Sequence, residues 1–221
     1  SGLIIDKFAD VFIVEPYSAG YVEIMGWIAS SLQTLYPGCR IVVRPDERTA
    51  VKEKVDFSRV ARDYPGHDSV EIKENCLRMQ VNLNTGHKTG FFLDQRENRL
   101  ALSQYCYGKE VLDCFCYTGG FAISAMLAGA KSATGIDLDE KALLTAQENA
   151  RLNSVSVKFQ HANVFDHLRT MQSKGGQADI VILDPSKLAG CVDEIKRAHR
   201  TYGDVNRLGM QVVRPGGILL T

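Results

Sequence analysis

The chain has 221 residues, 26 basic and 26 acidic side chains, a formal net charge of zero and a 45% apolar share. That length allows one large domain or two small ones, and the apolar share suffices for a real core. Zero net charge excludes a strongly basic nucleic-acid binder at the level of totals, though not local patches, and no run of about 18 apolar residues predicts a membrane span.

No secretory leader pattern opens the chain, and Ser1-Gly2 reads as a cloning remnant. The six cysteines, at 39, 76, 106, 114, 116 and 191, form no Cys-x-x-Cys pair. Neither zinc nor a disulfide framework is expected. All six read as small buried hydrophobes in a reducing, cytoplasmic compartment.

Short β-branched and aromatic runs at 3–6 and 11–15 predict two strands. Over 21–36, Val22, Met25, Ile28, Ala29, Leu32 and Leu35 recur at helical spacing, with Pro37-Gly38 as the stop. A third strand is predicted at 41–44, ended by Pro45, and 44–66 is polar enough to read as irregular and partly mobile. Residues 70–73, a Glu74-Asn75 turn and 77–83 predict a hairpin. Leu77, Met79, Val81 and Leu83 alternate with polar neighbours, so one face should be buried. Residues 1–84 thus read as a small α+β module of order strand-strand-helix-strand-strand.

In 85–99, Gly86 and Gly90 bracket a predicted turn, and Asp94 with Glu97 three positions on has the form of a capping box. The same stretch is dense in groups that bind something planar and polar: Phe91, Phe92, Gln95, Arg96 and Arg99. From Val111 onward strands and helices alternate. Strands are predicted at 111–114, 132–137, 156–161, 180–184 and 217–221. Helices are predicted at 121–127, 140–152, 164–172 and 192–213, the first ended by Ala128-Gly129. Alternation with short connections means a parallel sheet covered on both faces. The closing run ends on an apolar strand, and the polypeptide is expected to continue beyond it.

Val111 and Leu112 lead through Asp113 into a Thr118-Gly119-Gly120 turn and an apolar helix, and Asp137 closes the next strand. Such a unit lets a ligand approach the backbone, and a carboxylate at Asp137 suits two ribose hydroxyls. A dinucleotide would want G-x-G-x-x-G, whereas Phe115 and Tyr117 crowd a diphosphate here. That disfavours a nicotinamide oxidoreductase and favours a nucleoside with a small zwitterionic tail, such as S-adenosylmethionine; a plain crossover without ligand is the alternative. Asp184 stands at the carboxyl end of the fourth strand of this domain, and Pro185 restricts its backbone. It can hold the edge of a target base, or be a solvated strand end. Asn163 either caps the next helix or reads an adenine edge. Lys187, Lys196, Arg197, Arg200 and Arg207 either meet phosphates or form a solvated face.

These stretches together resemble the class I S-adenosylmethionine-dependent methyltransferases, and more narrowly the large-subunit ribosomal RNA cytosine-C5 methyltransferases. The carrying residues are 86–99, 111–121, Asp137-Leu138-Asp139, Asp184-Pro185-Ser186-Lys187 and Pro215-Gly216-Gly217, with 2–10 similar to the start of the family's central module. The resemblance implies a Rossmann-like parallel sheet over 85–221 that binds S-adenosyl-L-methionine, behind an RNA-contacting module over 1–84. It implies that Asp113, Phe115, Tyr117 and Gly119 line the methionine end. Asp137 would take the ribose and Leu138 the adenine, which Asn163 and Val164 flank. Phe91 and Gln95 would close the pocket, and Asp184 and Pro185 would face the base. RNA, ribosomal above all, is the implied partner, with Lys187 and Arg200 as candidate contacts.

Three departures stand out. Ser186 replaces the family's usual second proline, and the family's small N-terminal RNA-binding domain is not among these 221 residues. The nucleophilic cysteine, which the family carries in a Ser/Thr-Cys-Ser segment, is expected beyond Thr221. That thiolate must add to carbon 6 of cytosine before carbon 5 can attack a methyl group. Cys191 is nearest to Asp184 in sequence but follows it by a loop. The 221 residues are therefore expected to bind cofactor without turning over. The readings kept beside this one are a methyltransferase of another acceptor and a non-catalytic RNA-binding protein that retains the fold.

Overall fold

Burial of alternating side chains builds two units in the computed structural model, which describes residues 2–45, 47–65, 69–83, 90–189 and 191–221. The expected turn residue Gly86 lies outside these. One unit is Ser1–Lys73 with Gln80–Leu93; the other is Glu74–Met79 with Asp94–Thr221.

In the first unit β1 (Leu3–Phe8) pairs antiparallel with β2 (Val11–Pro16), which pairs parallel with β3 (Arg40–Val43). The helix α1 (Gly20–Leu35) lays Met25 and Ala29 against Phe12, Val14, Ile41 and Val43. The central strand β2 is buried along its whole length, which is why its sequence is a continuous apolar run rather than an alternating one. The polar stretch 44–66 is not irregular as expected. It holds α2 (Glu47–Glu53) and α3 (Ser58–Asp63). The carboxylate of Asp56 accepts from the Ser58 amide and hydroxyl at the start of α3, and Phe57 and Val60 are buried. Two helices this short offer too few turns for the apolar period to show.

A two-stranded sheet follows, β4 (Ser69–Glu74) and β5 (Leu77–Asn82). Leu77, Met79, Val81 and Leu83 are all buried, as their alternation predicts. The turn sits one residue later than expected, at Asn75-Cys76, with Asn75 in the left-handed region at φ 53°.

The second unit carries five parallel strands in the order β10-β9-β6-β7-β8. They are β6 (Glu110–Cys114), β7 (Ser132–Asp137), β8 (Lys158–His161), β9 (Ala178–Leu183) and β10 (Val213–Leu220). The helices are α4 (Arg96–Ser103), α5 (Gly120–Leu127), α6 (Glu140–Leu152), α7 (Val164–Ser173) and α8 (Ile195–Val212). This is the helix-covered parallel sheet that the strand–helix alternation predicts, in the Rossmann-like form that the resemblance implies. Leu112, Val181 and Leu183 pack toward α7 and α8, while Val111, Ile180 and Ile182 pack toward α4 and α5. The period of two along each buried strand thus feeds two separate cores.

Strand β10 starts at Val213, four residues earlier than expected, and absorbs Pro215-Gly216-Gly217 as an irregularity between its pairings to β9. Among the described residues no helix is long and apolar enough to cross a membrane.

Candidate functional site

The sheet reverses its order beside β6: β7 and β8 lie to one side, β9 and β10 to the other. Such a reversal opens a crevice at the carboxyl ends of the strands. Cys114 pairs with Ile136 on one flank and Leu183 on the other. Asp137 and Asp184 therefore each stand one residue beyond that level, on either side of Asp113. Asp137 closes β7, Asp184 follows the last residue of β9 and Asp113 is the next-to-last residue of β6, so three carboxylates gather at the carboxyl ends of these strands.

Asp113 is the central member and is 1% exposed. Its Oδ2 accepts from the Ala122 amide in the first turn of α5 at 3.0 Å, and its buried Oδ1 has no hydrogen-bond partner among the described residues. Burial pushes its carboxyl up to about 8, and the charges of Asp184 and Asp137 add to the rise; the Ala122 amide and Arg99 oppose it. Asp137 is held by two backbone amides, from Tyr117 at 2.8 Å and Asp139 at 2.9 Å. Asp184 receives the Gln95 side-chain amide at 3.3 Å, and Gln95 in turn receives Asn98 at 2.8 Å.

The turn joining β6 to α5 is unusual in its backbone. Phe115, Tyr117 and Gly119 all have positive φ, at 63°, 48° and 85°. Left-handed geometry is costly for two aromatic residues, by about 1–2 kcal/mol each, and such outliers gather at functional sites. The glycine's freedom is used differently from what the sequence suggests. A Cβ at Gly119 would come within 2.9 Å of the Phe159 ring, so a phenylalanine of β8 fills that space rather than a ligand. Asn149, fully buried on α6, donates to the Thr118 carbonyl at 3.2 Å and pins the turn from behind.

Other expected site residues fall as follows. Leu138 is 60% exposed beside Asp137, and Val164 is buried at the start of α7. Asn163 caps α7, accepting from the Phe165 and Asp166 amides. Pro185 is half-buried, and Lys187 and Arg200 are exposed. Phe91 is buried and belongs to the first unit. The capping box read at Asp94 and Glu97 does not form. Asp94 lies in a 3-10 turn, Leu93–Gln95, which feeds straight into α4 with Gln95 at the cap. Nor does Arg99 reach for a ligand, since it is 4% exposed and bound through two nitrogens to Glu74 at 2.7 and 2.6 Å.

Asn149, Phe159 and the Glu74–Arg99 pair escaped sequence reading. Only Asn149 left a signal: it occupies a core position of the α6 stripe formed by Ala142, Leu143, Ala146 and Ala150. The cysteines divide as well. Cys106, Cys114 and Cys116 are buried, but Cys76 and Cys191 are exposed, against the expectation that all six would be core hydrophobes. Cys76 sits in the hairpin turn, and Cys191 just ahead of a 3-10 turn, Val192–Glu194, where no core covers them. Burial drives the Cys114 and Cys116 thiols upward, with Asp113 adding to both. Neither is a thiolate at neutral pH.

The pattern describing S-adenosylmethionine-dependent methyltransferases matches residues 61–221. A ribosomal RNA large subunit methyltransferase I of Aeromonas salmonicida is 41% identical over 224 residues, covering 100% of this chain and 57% of that protein. Its namesake in Enterobacter is 38% identical over 225 residues, with the same coverage. The chain thus spans about 57% of the length of these curated relatives. Among solved structures, a methyltransferase complexed with SAH superposes at a TM-score of 0.80, with 23% identity over 99% of this chain and 57% of its own. A tRNA m1G37 methyltransferase from M. jannaschii reaches 0.66, with 18% identity over 99% of this chain and 61% of its own. These two likenesses concern the fold.

Proposed function

The chain belongs to the S-adenosylmethionine-dependent methyltransferase family, and from that membership we propose that it serves methyl transfer to carbon 5 of a cytosine in large-subunit ribosomal RNA. The observation that carries the cofactor site is the buried Oδ1 of Asp113, which has no hydrogen bond and lies between two further strand-tip carboxylates. A ligand with a positive charge beside Asp113 and paired hydroxyls beside Asp137 fits these groups. S-adenosylmethionine has both, and when bound it supplies an electrophilic methyl group on a sulfonium.

In this reading Asp113, Phe115, Tyr117 and Gly119 shape the methionine end of the site. Asp137, already oriented by two amides, accepts from the ribose. Leu138, Asn163 and Val164 border the adenine. Asn163 does so while its side-chain oxygen caps α7, which leaves its side-chain NH2 and its backbone for the adenine. Gln95, bonded to Asp184, closes the pocket. Asp184 and Pro185 face the target base, with Lys187 and Arg200 toward phosphate, and residues 1–84 help hold the RNA. The names of the curated relatives support the ribosomal substrate.

The cytosine step needs a thiolate. Cys114 and Cys116 are buried and held protonated, which removes these two as its source. The base must be unpaired or flipped to reach the crevice. Isothermal titration of the 221-residue protein with S-adenosylmethionine should show binding that Asp137→Ala abolishes; no heat from the parent protein overturns the site. A longer polypeptide carrying the sequence after Thr221 should methylate unmodified large-subunit ribosomal RNA. Mass spectrometry should find the methyl at carbon 5 of one cytosine; a methyl on an exocyclic amine overturns the cytosine reading.

A further inference from the structure

Asp113 has a property that the proposed reaction does not require. Its carboxyl is withdrawn from water at the end of β6, and only one of its oxygens is hydrogen-bonded. The groups facing it are unfavourable to a negative charge. From β7 comes Asp137 and from the end of β9 Asp184, both carboxylates, while α5 offers one backbone amide. Within β6 and its turn the nearest titratable groups are the Cys114 and Cys116 thiols, both neutral. Among the described residues the cation that acts on it is Arg99 of α4, and that guanidinium is already closed onto Glu74.

We propose that ligand binding in this crevice is coupled to release of a proton from Asp113, so that the ligand-free protein holds a neutral acid there and the bound protein an anion. The inference rests on the cofactor reading above and adds to it a thermodynamic link between cofactor and pH. The balance is simple: the Oδ–H bond breaks, the proton leaves to solvent, and the positive charge of the ligand takes its place beside the carboxylate. The reverse follows on release of the ligand.

The direction of the pH dependence follows. Burial places the free carboxyl near 8, and a cation in contact lowers it by one to three units or more. Binding at pH 7 then releases about 0.9 proton when the bound form is fully ionised. With the bound form ionised throughout, apparent affinity should rise about ninefold from pH 6 to 7 and about fivefold from pH 7 to 8, and fall again where the ligand's own ammonium loses its proton. A site whose acid was already ionised would show no such slope.

The probe is S-adenosylhomocysteine, whose α-ammonium supplies the positive charge, titrated calorimetrically at pH 7 in phosphate and in Tris, whose ionisation heats differ. The expected result is binding in both buffers, with a heat difference equal to release of about 0.9 proton. Equal heats in the two buffers overturn the proton link and leave the cofactor site standing. No binding in either overturns the cofactor site and the link with it. Asp113→Asn, which keeps an acceptor for the Ala122 amide but does not titrate, should bind with equal heats in the two buffers and with a flat pH profile. Proton release that persists in this variant would move the effect to another group and overturn the assignment. The parent protein's two-buffer comparison decides the link even where the variant fails to fold.

Discussion

Glu74→Ala should cost more stability than any single hydrogen bond explains. The carboxylate meets Arg99 through two contacts, at 2.7 and 2.6 Å, and the two side chains are only 6% and 4% exposed. The substitution leaves a buried guanidinium with its principal partner gone, a loss of about 3–5 kcal/mol. The cleft of about 160 Å³ that both residues line admits some water to the guanidinium, which favours the lower end of that range. Arg99→Met should cost a similar amount from the other side. The pair Glu74→Leu with Arg99→Met should come back to within about 1–2 kcal/mol of the parent, because two apolar side chains need no desolvation. Urea denaturation followed by circular dichroism, run as a double-mutant cycle, measures all three. Costs below about 1 kcal/mol for each single change, or strict additivity in the double, would refute the claim that these charges act as one buried unit. Arg99 also lowers the Asp113 carboxyl, so the double variant should shift the rise of cofactor affinity to higher pH.

Gly119→Ala forces a Cβ to 2.9 Å from Phe159 and 3.1 Å from Ile123 at a φ of 85°; it should cost about 1–3 kcal/mol and weaken S-adenosylhomocysteine binding. Pairing it with Phe159→Leu should recover part of the stability, and no recovery would remove the ring as the cause. Asp113 bears on stability as well as binding. Its folded-state carboxyl lies near 8 against an ordinary 3.8, so its stabilising share is complete below about pH 4 and lost as pH rises through 8. Without ligand, Asp113→Asn should therefore gain on the parent by up to about 1.4 kcal/mol per pH unit across that window; parallel thermal-denaturation profiles from pH 5 to 8 would contradict this. A chromogenic disulfide at pH 8 should react quickly with Cys76 and Cys191, and with Cys106, Cys114 and Cys116 only after unfolding.

The parallel sheet was legible because its signals are local. Apolar runs leading into Asp113, Asp137 and Asp184, the first two followed closely by a helix, mark strand ends and connection type together. The elements at 132–137 and 140–152 coincide with β7 and α6 to the residue. What stayed hidden depends on partners distant in sequence. Arg99 reads as a ligand-facing charge until Glu74 is seen to close on it, and nothing in the spacing of residues 25 apart announces that contact. Phe159 reads as one more strand aromatic until Gly135, its neighbour in register on β7, and Gly119 leave room for the ring. The two short helices in 44–66 failed for a different reason, since six or seven residues hold less than two full apolar repeats.

The arrangement of charge also decides between ligands independently of the glycine pattern. Sequence reasoning set aside a dinucleotide because Phe115 and Tyr117 crowd the turn, and an aromatic side chain can swing away. Three carboxylates cannot. A diphosphate placed about 5 Å from an ionised Asp137 or Asp184 would meet roughly 3 kcal/mol of repulsion per pair of charges at an effective dielectric near 20. The buried Asp113 would have to stay protonated throughout. A ligand with a positive charge reverses the sign of every one of these interactions, and it relieves the one carboxyl oxygen that the fold leaves unbonded. The electrostatic preference is therefore set by the strand ends themselves, before any loop closes, and loop substitutions that merely widen the turn at Phe115 or Tyr117 should not make the crevice accept a nicotinamide dinucleotide.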